Sequence, residues 1–140
     1  MSMFNVFDVA GSAMSAQSLR LNLTASNLAN AETTASSPEQ AYRARQPVFS
    51  AALQAAQARD GDAGAVPVEV RGVVESEAPV QELYRPNSPQ ADNEGYVYRS
   101  NVNPVEEMVN MISASRSYQN SVEVMSTSRD LMLQTLRLGR

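Results

Sequence analysis

Carboxylates, hydroxyls and arginines are the side chains through which this sequence could do chemistry. It has no cysteine and no histidine, and all eleven basic residues are arginine. That removes at once an imidazole base, thiolate chemistry, His or Cys metal ligands, Schiff-base lysine and a phosphate-loop lysine. The one suggestive spacing is Glu75 and Glu77, which alternate on a candidate strand and so share a face, with Glu69 nearby. A carboxylate pair is the apparatus of glycoside hydrolysis, which needs one acid of raised pKa beside one ionised partner. Neither an apolar pocket to raise a pKa nor an aromatic platform for a sugar accompanies the pair. We therefore expect no catalytic residue, no cofactor and no metal site. Asn22-Leu23-Thr24 matches a glycosylation acceptor, but it lies inside a helical pattern, and such triplets are common by chance.

With so little reactive chemistry, the informative features are the elements themselves. Asn103 to Leu138 reads as one uninterrupted helix: Asn103 caps it, Pro104 fits its first position, Glu106 is placed to reach back to the cap, and Gly139 stops it. Met108, Met111, Ser115, Tyr118, Val122, Met125, Arg129, Met132 and Leu136 recur at spacings of three and four, a coiled-coil-like seam that Val105, Ile112 and Leu133 widen. At 1.5 Å per residue such a helix is roughly 50 Å long, against a radius of gyration of about 14 Å for a compact chain of this size. It must find packing partners beyond a small globule.

Asn5 to about Asn30 also reads as helix, with Asn5 as cap and Asp8 three residues on. Its seam runs Phe4, Phe7, Gly11, Met14, Ser18, Leu21, Ala25 and Leu28. Small residues from Ala10 to Ala16 invite close approach of another backbone. Ser12, Ser15, Ser18, Asn22, Thr24, Ser26 and Asn27 are weak helix formers, so the stability of this segment has to come from packing. Residues 1–30 carry one acid and one arginine, residues 104–140 four of each, and residues 31–103 ten acids against six arginines. The net charge of −4 thus sits in the middle of the chain, and no basic stripe exists for nucleic acid. No apolar run is long enough to span a bilayer, and the opening residues lack the positive region of a cleaved signal peptide.

Between the helices, Tyr42, Ala44 and Val48 suggest a short extended piece interrupted by Pro47. Residues 50–65 suggest a weak alanine-rich helix running into a flexible loop. Val66 to Val70 alternates as a half-buried strand should, Gly72 suggests a bulge before Val73-Val74, and Val80 to Arg85 and Tyr96 to Arg99 are further strands. Turns are expected over 85–89 and 92–95. The fold class is α+β: a long antiparallel pair of terminal helices, residues 1–34 and 104–140, around a small β-rich insertion, residues 35–103. Two helices bury one seam each, so the sparsely charged remainder calls for helices from other chains.

Ala25-Ser26-Asn27-Leu28-Ala29-Asn30-Ala31-Glu32-Thr33 resembles the Ser-Asn-Leu-Ala-Asn-x-x-Thr signature of bacterial flagellar rod and hook proteins. The run from Glu107 to Gln119 resembles their paired C-terminal signature. Phe7 to Ala13, Tyr84-x-Pro86, Ala91-Asp92 and Gly95-Tyr96-Val97 narrow the likeness to the C-type proximal rod branch. The resemblance implies a structural subunit of a hollow helical rod that transmits torque. It also implies export without a cleaved signal through the flagellar export apparatus, a periplasmic location in the basal body, and contacts with other copies and neighbouring rod proteins. A helical-hairpin protein of a related secretion apparatus, or a helical adaptor, is the alternative. The expected subunit interface comprises Phe4, Phe7, Gly11, Met14, Leu21, Asn27, Leu28 and Asn30 on the first helix. On the last helix it comprises Met108, Met111, Ile112, Arg116, Tyr118, Val122, Met125, Arg129, Met132 and Leu136. The helix amides are expected either to fix register between subunits or to form a solvated face.

Overall fold

The computed structural model describes residues 3–52 and 66–138. Helix α1 spans Met3–Asn30, followed by strands β1 (Thr34–Ala35), β2 (Arg45–Ala51), β3 (Val68–Glu75), β4 (Gln81–Tyr84) and β5 (Tyr96–Arg99), and helix α2 (Pro104–Leu138) closes the chain. The α+β class and the paired terminal helices are as the sequence suggests. The expected stop at Gly139 and the weak helix beyond Ala52 lie outside the described residues, while Ser50 and Ala51 belong to β2.

Helix α2 begins as its sequence dictates. Asn103 Oδ1 accepts hydrogen bonds from the amides of Val105 at 3.1 Å and Glu106 at 3.5 Å, and Pro104 fills the first position, where no N–H is required. Glu106 contributes its amide to the cap, not its carboxylate. Asn5, expected to cap α1, lies inside its first turns because the helix already begins at Met3. The two helices run antiparallel. Asn27 meets Glu107, Arg20 meets Asn110, and a Cβ on Gly11 would touch Met125, so ascending α1 pairs with descending sequence in reverse order along α2.

The expected α1 seam is about one residue out of phase with the observed one, and the α2 seam is met in part, at Met111, Ser115, Met125 and Met132. On α1 the buried residues are Ala10, Ala16, Thr24 and Asn27, whereas Ser18 and Ala25 are exposed and Phe7, Met14, Leu21 and Leu28 are half-buried. On α2 the covered line is Glu107, Met111, Ala114, Ser121, Met125, Ser128 and Met132, with Met108, Ile112, Val122, Arg129 and Leu136 exposed. The reason is steric. Backbones approach most closely where side chains are smallest, so on α1 small residues such as Ala10, Gly11 and Ala16 occupy the line of contact, and methionines of α2 lie against them. A hydrophobicity pattern centres the seam on the bulk instead.

The insertion forms two small sheets, β2–β3 and β1–β5–β4, antiparallel throughout. Arg45 pairs with Glu75 at one end of the ribbon and Ala51 with Val68 at the other. Strand β2 runs through Pro47, which a two-stranded ribbon tolerates because the missing N–H need not face a partner. The register slips between Val48 and Phe49, leaving Arg71 as the extra residue beside Gly72, where the bulge is expected. The ribbon lies along α1, and its Val68 end is tied to the helix where the Val68 amide donates to Ser12 Oγ at 3.1 Å. Strand β3 is not half-buried as its alternation suggests, for only Val68 is shielded and the rest of the strand is exposed.

The second sheet turns on Asp92. Its Oδ1 accepts from the amides of Glu94 and Tyr96, each at 2.9 Å, and its Oδ2 from the Tyr98 hydroxyl at 3.1 Å. Those bonds, the Tyr96 amide first, hold the Asp92 carboxyl below its ordinary range, and the same carboxylate raises the Tyr98 phenol. Gly95 closes the turn at φ 86°, its amide donating to the Asp92 carbonyl at 3.1 Å. A Cβ there would stand 2.9 Å from Tyr84 Cε2, on a ring that packs edge-on to Tyr96 at 5.3 Å. Gly95→Ala combines left-handed backbone strain with that clash and should destabilise the chain by about 1–3 kcal/mol. Urea unfolding checks it, and a loss below a few tenths of a kcal/mol would contradict the account.

Candidate functional site: the helix junction and the outer face

The resemblance motif maps onto the joint between α1 and the insertion. Asn27 is 1% exposed, and every polar atom of its side chain is used. Nδ2 donates to the Arg45 carbonyl at 2.9 Å and to Glu107 Oε2 at 3.2 Å, while Oδ1 accepts from the Arg45 amide at 2.9 Å and the Tyr42 hydroxyl at 3.0 Å. The carboxamide thus meets both the N–H and the C=O of Arg45, as a neighbouring strand would. Asn101 does similar work one residue earlier, accepting from the Ala44 amide at 2.8 Å and donating to the Ala78 carbonyl at 2.9 Å. The Ala44 carbonyl takes the Ser76 amide at 2.8 Å. The chain can therefore cross from helix to ribbon without stranding a peptide group.

The rest of the motif ends the helix. Asn30 Nδ2 donates back to the Ser26 carbonyl at 2.8 Å, and Thr33 Oγ1 and its amide both reach the Asn30 carbonyl. The Thr33 carbonyl then accepts the Ser100 amide at 3.2 Å. Ala31, Ala44 and Val102 pack beneath this joint with Tyr42 against them.

Glu107 is buried at the same place, 7% exposed. Burial is the main influence and pushes its carboxyl above the ordinary 4.5; the Asn27 hydrogen bond opposes the rise, the Glu106 charge adds to it, and Arg20 also opposes it. Arg20 itself donates to Asn110 Oδ1 at 3.2 Å. A polar cleft of about 370 Å³ opens here, with Arg20, Thr24, Arg45, Phe49, Glu106 and Glu107 among its walls. Glu75 pairs instead with Arg45 at 3.2 Å at the exposed end of the ribbon.

Of the residues expected at a subunit interface, the structure brings Gly11 and Met125 together inside one chain and buries Asn27 there. Met111 and Met132 are half-buried on the covered line of α2, and Asn30 is half-buried in the helix-ending turn. Phe7, Met14, Leu21 and Leu28 flank the α1 line, and the Phe4 side chain lies outside what is described. Met108, Ile112, Arg116, Val122, Arg129 and Leu136 form an outer face, with Tyr118 at its margin. Sequence reasoning missed Glu107 as a buried partner of Asn27, since a carboxylate in a first helical turn ordinarily caps from the surface.

The chain also has relatives along its full length. Residues 7–35 match the family described as flagella basal body rod protein, and residues 93–138 match the C-terminal family of the flagellar basal body rod FlgEFG proteins. The flagellar basal-body rod protein FlgC of Salmonella typhimurium is 49% identical over 140 residues, covering 100% of both chains. FlgC of Buchnera aphidicola from Acyrthosiphon pisum is 42% identical over 99% of each.

Two outcomes test the junction. Asn27→Ala strands the Arg45 peptide groups and should cost at least about 2 kcal/mol in urea unfolding, with a near-neutral effect ruling out the clamp. Glu107 has a folded pKa above its unfolded one, so its favourable contribution is complete below the unfolded value and is lost as pH rises through the folded one. Glu107→Gln should therefore gain stability relative to the parent as pH rises from 4.5, and a flat difference between the two across pH 4–8 would refute the assignment. Full-length identity at this level, with both terminal signatures in place, makes the chain a member of the FlgC family of flagellar basal-body rod proteins.

Proposed function

We propose that this protein is a structural subunit of the proximal rod, one that builds a hollow axial tube and transmits torque through helix packing. Its partners are other copies and neighbouring rod proteins. It reaches the periplasm through the flagellar export apparatus without a cleaved signal, and it catalyses no reaction. One observation carries this reading. Every buried apolar residue among those described is an alanine or a valine, while α2 exposes Val105, Val109, Ile112 and Leu136, each more than half accessible. A chain with so small a core leaves on its longest helix the apolar surface that a second helix would cover. Sparse charge and poor intrinsic helicity on α1 fit a segment stabilised by neighbours.

In this reading the interface takes in Met108, Ile112, Val122 and Leu136 on the outer face, with Arg116 and Arg129 beside them. Phe7, Met14, Leu21 and Leu28 extend it on the flanks of α1. Gly11, Met125 and Asn27 support it indirectly, by fixing how the two helices of one chain sit together. The surface substitution Ile112→Glu, at a residue 56% exposed, leaves that intrachain contact intact. It should reduce motility and the yield of purified rods at least tenfold while the protein is still exported. Wild-type motility from this variant would overturn the assignment of the outer face.

A further inference from the structure

Four charged residues stand in a row on the outer face of α2, spaced by sevens: Arg116, Glu123, Asp130 and Arg137. Seven residues are two turns of helix, so the four side chains project in nearly the same direction at intervals of about 10 Å. All four are exposed, and none has a hydrogen bond or ion pair within the chain among the described residues. They are too far apart to pair with one another along one helix. The row reads plus, minus, minus, plus.

Resting on the rod-subunit reading above, we infer that this row sets the axial stagger between neighbouring copies of the chain, and that the stagger is two heptads, about 21 Å. Copies in an open helical polymer are related by rotation and translation about one axis, so their α2 helices run parallel and turn the same face toward the same surface of the tube. The row of one copy then lies beside the row of the next, about 10 Å away across two packed helices, a distance that an arginine and an acid span together. With no stagger, every charge meets its like. One heptad gives two attractions and one repulsion, Asp130 against Glu123, and three heptads set Arg137 against Arg116. At two heptads Asp130 meets Arg116 and Arg137 meets Glu123, with no repulsion. Each copy's other neighbour uses its two remaining charges in the same way.

The apolar stripe beside this row has the same interval. Met108, Val122 and Leu136 lie fourteen residues apart and are 46%, 42% and 65% exposed, whereas the intervening sevens are Ser115 and Arg129. The exposed apolar residues of this line thus repeat at two heptads, the interval inferred from the charges. Exposed ion pairs add little affinity, so their effect is on which register is tolerated, as charged flanks act in coiled coils.

The chain has no cysteine, so introduced thiols report only on the positions chosen. In full-length protein assembled into rods, Arg116→Cys with Asp130→Cys should give covalent multimers of this chain with a short bis-maleimide, because the two sites are about 21 Å apart within one copy and cannot bridge there. Arg116→Cys with Glu123→Cys should give at least tenfold less. Charge reversal provides an independent reading. Arg116→Glu should lower rod yield at least fivefold, and adding Asp130→Arg should restore it, whereas adding Glu123→Arg should not. Rescue by Glu123→Arg, or equal cross-linking in both thiol pairs, would overturn the stagger. Absence of covalent multimers of this chain in assembled rods, with Ile112→Glu tested separately still blocking assembly, would overturn the copy-to-copy contact and leave the rod-subunit reading standing.

Discussion

One buried carboxamide connects the helical and the β-rich parts of this molecule. Asn27 presents a donor and an acceptor to the backbone of Arg45, and its remaining valences go to Tyr42 and Glu107. That links three segments far apart in sequence: the end of α1, the start of β2 and the first turn of α2. Few side chains can substitute. Aspartate lacks the donor and would set an anion against a carbonyl and a carboxylate, whereas an apolar residue would leave the strand unpaired. Asn101 holds the preceding peptide from the opposite side. Between them, the two asparagines fix where the ribbon leaves the helix.

The rest of the packing is economical. Among the described residues the buried apolar side chains are alanines with Val97 and Val102, and α1 meets α2 along small residues with methionines of α2 against them. Close approach gains dispersion contacts and lets hydrogen bonds such as Arg20 to Asn110 cross the interface. It buries little apolar area per chain, however, and the larger apolar residues of α2 remain outside. A protein that works only in an assembly can keep its bulk for the assembly contact.

Polar groups divide along the same lines. Glu107 and Asn27 are enclosed and satisfy each other, so they specify the fold of one copy. Arg116, Glu123, Asp130 and Arg137 are exposed and spaced beyond mutual reach, so they do not pair with one another within one copy. Asp92 belongs to the first group on a smaller scale, organising a turn with its own backbone.

The amino-acid pattern determined the two long helices, their antiparallel pairing, the cap at Asn103, the bulge next to Gly72 and the short strand Tyr96–Arg99, because each follows from local rules of spacing, capping or turn chemistry. The two terminal signatures likewise pointed to the family. Only the tertiary structure decided which face of each helix is covered. Hydrophobic periodicity finds the bulkiest stripe, but α1 meets its partner where its side chains are smallest, about one residue round the helix from that stripe, while on α2 the stripe is covered only in part. It also decided that Asn27 works within a single chain, since its partners Arg45 and Glu107 lie 18 and 80 residues away and no local rule links them. The exposure of β3 had the same origin: alternation marks a strand, but whether a layer exists to cover it depends on the whole fold.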